Sequence, residues 1–175
     1  MDMQAKLLRS GGFEALAREL GIPPATAVAG SEALLPAILG GLHRQSEALG
    51  GGAVGLLGML EGLGGGALAA EVMGSNAADT ARGDAVLAWI FSSKAVSRAV
   101  ARQASATSNL EPELLMRMLP LLAMLAGGYL WARARGSGKT ATSEGLDEVA
   151  RLIAEANEDN PLDTILGIAG GEPQP

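Results

Sequence analysis

An all-α protein of compactly packed helices is the fold class this sequence predicts, and three observations carry the prediction. Of its 175 residues 48% are hydrophobic but only 3% aromatic, so a core has to be built from Leu, Ala, Val, Ile and Met. Such a set suits closely packed helices better than a sheet, which favours β-branched and aromatic residues. The second observation is spacing: Phe13, Leu16, Ala17 and Leu20 recur at i, i+3, i+4 and i+7, one face of a helix. The third is a pattern that occurs twice. Ala17-Arg18 leads to Leu34-Leu35-Pro36 and Gly40-Gly41, and 84 positions further on Ala101-Arg102 leads to Met118-Leu119-Pro120 and Gly127-Gly128. The chain therefore reads as two related helical units, each with a core helix kinked by an interior proline.

In chain order, the helix through Phe13 and Leu20 stops at Gly21, which can adopt the left-handed conformation. Pro23-Pro24 opens the next helix, because the first turn has no use for the missing N–H; it runs to about Leu49 with Pro36 inside. Between Gly50 and Gly66, glycines alternate with Val54, Leu56, Leu57, Met59, Leu60 and Leu63. The readings are a low-complexity linker or short helices in close backbone contact, and so many apolar residues favour the helices. Polar residues from Gly74 to Arg82 form the loop that divides the chain, after which Asp84 is expected to cap the apolar run Ala85 to Phe91. Ser92-Ser93 permits a new helix from Lys94 to about Ala106. Ser108 or Asn109 is expected to cap the following one, with Pro112 in its first turn. From Leu114 to Trp131 that helix has almost no polar face, so it is either central to the fold or covered by another subunit. Gly136 to Ser143 reads as a connector, Leu146, Val149, Leu152, Ile153 and Ala156 as an amphipathic helix, and Asn160-Pro161 as the start of a short last helix.

Charge gives the same division. Residues 1–81, the first helical unit with the glycine-rich segment, carry net −4; residues 82–139, the second unit, carry +5; residues 140–175, acidic C-terminal helices and a tail packed on the rest, carry −7. A basic middle followed by an acidic end suggests that the two face each other, within a chain or between subunits. The alternative is solvated faces that meet no partner.

Chemistry is harder to find. The absence of cysteine excludes a disulfide framework and a thiolate metal site. Gly136-Ser137-Gly138-Lys139-Thr140 resembles the end of a phosphate-binding loop, but Arg133 stands where the motif needs its first glycine. His43 and Glu47 offer two metal ligands, too few for a structural zinc site. Asn157, Asp159 and Asp163 lack the spacing of a calcium loop, and no serine sits in a nucleophile elbow. The expectation is a protein that is not an enzyme and takes no cofactor, metal or small-molecule substrate. No basic segment followed by an apolar run marks a signal peptide, so the cytoplasm is the expected location. The uncharged stretch from Met118 to Ala132 is shorter than the roughly 20 residues a spanning helix needs.

Residues 14–34 have the rhythm of a helix-turn-helix, yet residues 23–35 hold none of the Arg, Lys, Asn or Gln that read bases. Lys94, Arg98 and Arg102 form a basic stripe at i, i+4 and i+8. With Met118, Leu122, Leu125, Tyr129 and Trp131 from the apolar helix they make up the candidate interaction surface.

Four stretches together resemble the YidB-like bacterial proteins, a domain family of unknown function: Leu34 to Leu42, Asp84 to Phe91, Met118 to Ala123 and Pro161 to Gly167. The resemblance covers most of residues 13–170 and departs from the pattern at Ser92-Ser93 and Asn160-Pro161. It implies an all-helical fold with homeodomain-like units and brings no catalytic residues. The expected function is a non-enzymatic interaction or self-assembly module whose partner is a second copy or another protein. Nucleic-acid binding through the stripe of residues 94–102 is the alternative, and association with a membrane surface through the glycine-rich region is a third class.

Overall fold

The computed structural model describes residues 3–48, 52–74, 80–91, 93–135 and 142–157, which form α-helices and no strand. In chain order these are α1 (Met3–Arg9), α2 (Gly12–Leu20), α3 (Pro24–Ala48), α4 (Gly52–Leu63), α5 (Ala67–Met73), α6 (Ala81–Phe91), α7 (Lys94–Ser108), α8 (Pro112–Arg135) and α9 (Ser143–Asn157). The expected all-α architecture is the one observed. The expected final helix after Asn160 and most of the connector after Gly136 lie outside the described residues.

α8 is the centre. Every residue from Met118 to Gly128 is buried, so the helix has no outer face along that stretch. Its cover comes from the same chain, with α5, α6, α7 and α9 packed around it and α2, α3 and α4 completing the shell. Of the two readings of an all-apolar helix, centrality is the one the fold adopts. By length and composition alone, α3 and α8 are each long and apolar enough to cross a membrane, more than the uncharged stretch of α8 suggests; here 61% and 72% of their apolar windows are buried inside the fold.

The repeat is visible in how the helices stop and start. α2 ends on Gly21 at φ 69° and α7 ends on Asn109 at φ 63°, both left-handed, and each cap N–H bonds back to the carbonyl four residues earlier. An apolar residue follows in each case, Ile22 and Leu110, packed against the core. A proline then opens the long helix, Pro24 in α3 and Pro112 in α8. From that proline to the interior one, α3 is four residues longer than α8, about one helical turn.

Two capping expectations are corrected here. Asn109 terminates α7 instead of starting α8, and Ser108 donates its hydroxyl to the Ala104 carbonyl at 2.7 Å. Asp84 does not cap α6: the helix begins three residues earlier and the Asp84 N–H bonds to the Thr80 carbonyl at 2.8 Å. The reason is packing. A Cβ at Gly83 would overlap the backbone of Pro120, so the glycine that an Asp84 cap would leave ahead of the helix is the point where α6 crosses α8.

The double glycines also differ from the reading of one unit used twice. Gly41 faces Ile90 of α6, whereas Gly128 faces the backbone of Ala69 in α5, so similar residues serve different crossings. α9 begins with a further such contact, since a Cβ at Gly145 would overlap Ala134 of α8. Thr142 caps that helix by accepting the Gly145 N–H at 2.9 Å.

The glycine-rich segment is helical over its described part. α4 stops at Gly64 and Gly65, whose N–H groups bond the carbonyls of Glu61 and Leu60, and α5 continues at an angle of 51°. Gly65 and Gly66 take the face of Trp131, where a Cβ would stand 3.0 and 2.9 Å from the ring. Close contact thus holds at the turn. It does not hold within α4, because among the described residues a Cβ at Gly58 or Gly62 would meet nothing within 4 Å outside its own helix.

Candidate interaction surface

α7 exists because Ser93 caps it, accepting the Val96 N–H at 3.3 Å, and because Val96, Ser97, Ala99, Val100, Ala101 and Ala104 give it an inward face. Half of that face is alanine and the rest is Val and Ser, which lets α7 lie close on α3 and α8. The outward face carries Lys94, Arg98 and Arg102, all exposed. No ion pair joins these three to another described residue. Like charges at i, i+4 disfavour a helix by about 0.2–0.5 kcal/mol per pair, so the stripe is held against a mild repulsion.

The eight candidate surface residues separate into three groups. Lys94, Arg98 and Arg102 form one exposed row, as their spacing predicts. Met118, Leu122 and Leu125 are corrected from surface to core: each is at most 1% exposed, because the chain's own helices surround α8. Tyr129 and Trp131 are partly buried at the far end of α8. Trp131 lies between Gly65-Gly66 and the Arg135 guanidinium, which is 4.1 Å from the ring centroid, and so acts as packing with a cationic cover.

A shallow cavity of about 250 Å³ between α6 and α7 is lined by Asp84, Leu87, Ala88, Ser93, Lys94 and Ser97. It falls below the roughly 300 Å³ at which small-molecule pockets begin, and its carboxylate and ammonium oppose each other in any ligand preference. His43 meets Glu47 at 3.8 Å, and no three His, Asp or Glu side chains among the described residues gather as a metal set. Glu148 of α9 accepts from Arg151 at 2.7 Å and lies 3.5 Å from Lys6 of α1. The Arg151 hydrogen bond holds its carboxyl below the usual range, with Lys6 and Arg133 adding to the effect. Burial pushes the Tyr129 hydroxyl the other way, above its ordinary value.

The surface that the spacing did not single out is apolar. Val54 is 64% exposed and Met59 36%, both on α4, while Leu8 on α1 and Met73 on α5 are also exposed. Met73 reaches to within 4.0 Å of a Cβ placed at Gly11, beside the end of α1 that carries Leu8. On α4, Val54, Gly58 and Gly62 fall at i, i+4 and i+8, a stripe visible in the sequence once the segment is taken as helix.

These features define an all-α protein with two related helical copies and two distinct exposed faces, one basic and one apolar. The chain belongs to DUF937, a family of bacterial proteins of unknown function, whose family model matches residues 2–133 and therefore spans both copies. The YidB-like proteins that the sequence resembles belong to the same family. No curated protein and no solved structure matches the chain.

Proposed function

We propose that this protein is a non-enzymatic helical interaction module that self-associates, a second copy covering the outer face of α4. The reading assigns it no catalytic residue, cofactor or metal and places it in the cytoplasm. The observation that carries it is the row of Val54, Gly58 and Gly62: an exposed apolar side chain in line with two helical glycines that meet nothing outside their helix among the described residues. Each interior glycine costs a helix about 1 kcal/mol relative to alanine. Elsewhere in this fold that cost accompanies a close crossing, at Gly83, Gly128 and Gly145. A second α4 packed on Gly58 and Gly62 supplies the missing partner, since small residues let two helix backbones approach closely. The same patch on both chains closes as a symmetric pair.

Sedimentation velocity over a concentration series tests this. Growth of a dimer or larger species with concentration, lost in Val54→Asp, is expected; a strict monomer throughout, or association indifferent to Val54→Asp, overturns it.

The second reading, nucleic-acid binding, has the exposed row Lys94, Arg98 and Arg102 in its favour. Net charge of −6 weighs against it, and three cations give only a weak, salt-sensitive grip. Duplex DNA retained at physiological salt and released on substitution of all three would reverse the order of the two readings.

A further inference from the structure

Helical spacing builds the groove between α6 and α7. Asp84, Leu87 and Ala88 recur at i, i+3 and i+4 on α6, and Lys94 and Ser97 at i and i+3 on α7 behind the Ser93 cap, so one face of each helix lines the cavity of about 250 Å³. Leu87 and Ala88 supply an apolar wall. The two charges stand apart: Lys94 opens α7 and so lies beside the end of α6, whereas Asp84 lies about two turns back along α6 from Phe91. No ion pair joins either of them to a described residue.

Two further observations bring ligand chemistry to the α7 side. Ser93 accepts the Val96 N–H on its hydroxyl and the Ser97 N–H on its carbonyl, which leaves the first two N–H groups of α7, on Lys94 and Ala95, without a partner among the described residues. Free N–H groups at the start of a helix favour an anion. Ser97 is only 5% exposed, and its hydroxyl, unlike the fully enclosed one of Ser31, opens onto the cavity and bonds to no described residue. A polar side chain buried to that degree ordinarily has a partner.

The cavity is too small for a larger ligand, and its carboxylate and ammonium oppose each other for a ligand of one sign. A small molecule that carries both signs meets both limits. We propose that the groove binds a free amino acid with a short aliphatic side chain. Its ammonium pairs with the Asp84 carboxylate, and its carboxylate meets the Lys94 ammonium, the N-terminus of α7 and the Ser97 hydroxyl, which donates to it. Its side chain rests on Leu87 and Ala88. The site uses no residue of α4, so it stands apart from self-association.

The test titrates the isotope-labelled full chain with L-alanine and follows the backbone amide shifts. Saturable shifts confined to the lining of the groove are expected, with a dissociation constant of about 1 mM for a ligand this small. Propionate, which lacks the ammonium, and ethylamine, which lacks the carboxylate, should each bind about tenfold more weakly, since each forfeits a hydrogen-bonded charge. Asp84→Asn and Lys94→Gln change exposed side chains and leave the fold intact, and each is expected to weaken alanine binding by about tenfold. Ser97→Ala weakens it several-fold. Shifts absent up to about 50 mM alanine overturn the proposal. So does propionate or ethylamine binding as well as alanine, which makes the groove a site for one sign of charge, and so does alanine binding that is indifferent to both charge substitutions.

Discussion

α8 and α4 are both apolar helices with glycines in their interiors, and they use them in opposite ways. Along α8, Gly127 and Gly128 are buried against Leu60 and Ala69, and Pro120 receives Gly83 of α6. Along α4, Leu56 and Leu60 are fully buried, while Val54 is exposed and a Cβ at Gly58 or Gly62 would meet nothing within 4 Å among the described residues. The difference teaches that apolarity and glycine content do not say which helix is the core. What decides is whether the rest of the chain comes to meet the glycine. α8 has its partners within the chain; the outer face of α4 meets none among the described residues, and that is the basis for the proposal that a second copy covers it.

The largest expected effect tests the α8 side of the comparison. Gly83→Ala drives a methyl into the Pro120 backbone where neither helix can yield, and a loss of about 3 kcal/mol or more is expected in chemical denaturation. A loss under about 1 kcal/mol would mean that the crossing is looser than the contact implies. On α4, Val54→Asp is expected to weaken self-association by about tenfold or more, equivalent to roughly 1.4 kcal/mol, while leaving the monomer's midpoint nearly unchanged. Gly58→Ala sharpens the point because its two effects have opposite signs. The isolated chain gains about 1 kcal/mol from helix propensity, whereas association weakens as the added methyl keeps the second backbone away. An alanine that stabilises without touching association would reduce Gly58 to a neutral surface position.

A smaller effect belongs to the first copy. Ser31 of α3 is fully buried, and among the described residues its hydroxyl is the buried side-chain oxygen without a hydrogen-bond partner. Ser31→Ala is expected to stabilise the fold by about 1 kcal/mol, since an unpaired buried hydroxyl carries a desolvation cost of that order. The smallest is a pH effect at α9. The Glu148 carboxyl is lowered in the fold, so its contribution is present above the unfolded pKa and is lost as pH falls through the folded one. Glu148→Gln should remove a slight part of the acid-side decline in stability and leave the curve near neutrality only marginally lower, because the pair with Arg151 is largely solvent-exposed.

Much of the fold is legible from residue spacing. Gly21 as a stop, Pro24 as a start, Ser93 as a cap and the amphipathic α9 all follow from local chemistry that acts within one helical turn. The misread points are those where a partner distant in sequence decides. Gly83 stands ahead of the helix that an Asp84 cap implies until Pro120 is placed against it, and Asn109 can end one helix as well as begin another. The candidate surface was legible in the same measure. A row of three cations announces its own exposure, but the burial of Met118, Leu122 and Leu125 depends on α8 being surrounded by its own chain. Val54 sat in a glycine-rich segment that reads as linker or helix, so its row with Gly58 and Gly62 shows only once the helix is in place.

The claim that the outer face of α4 meets a second copy of itself is tested most directly by trapping that contact. With no cysteine in the chain, Val54→Cys and Gln103→Cys place one thiol each on the outer faces of α4 and α7. Under mild oxidation the account predicts rapid formation of a disulfide-linked dimer for Val54→Cys and slow, collision-limited linkage for Gln103→Cys. Equal slow rates for the two would contradict it.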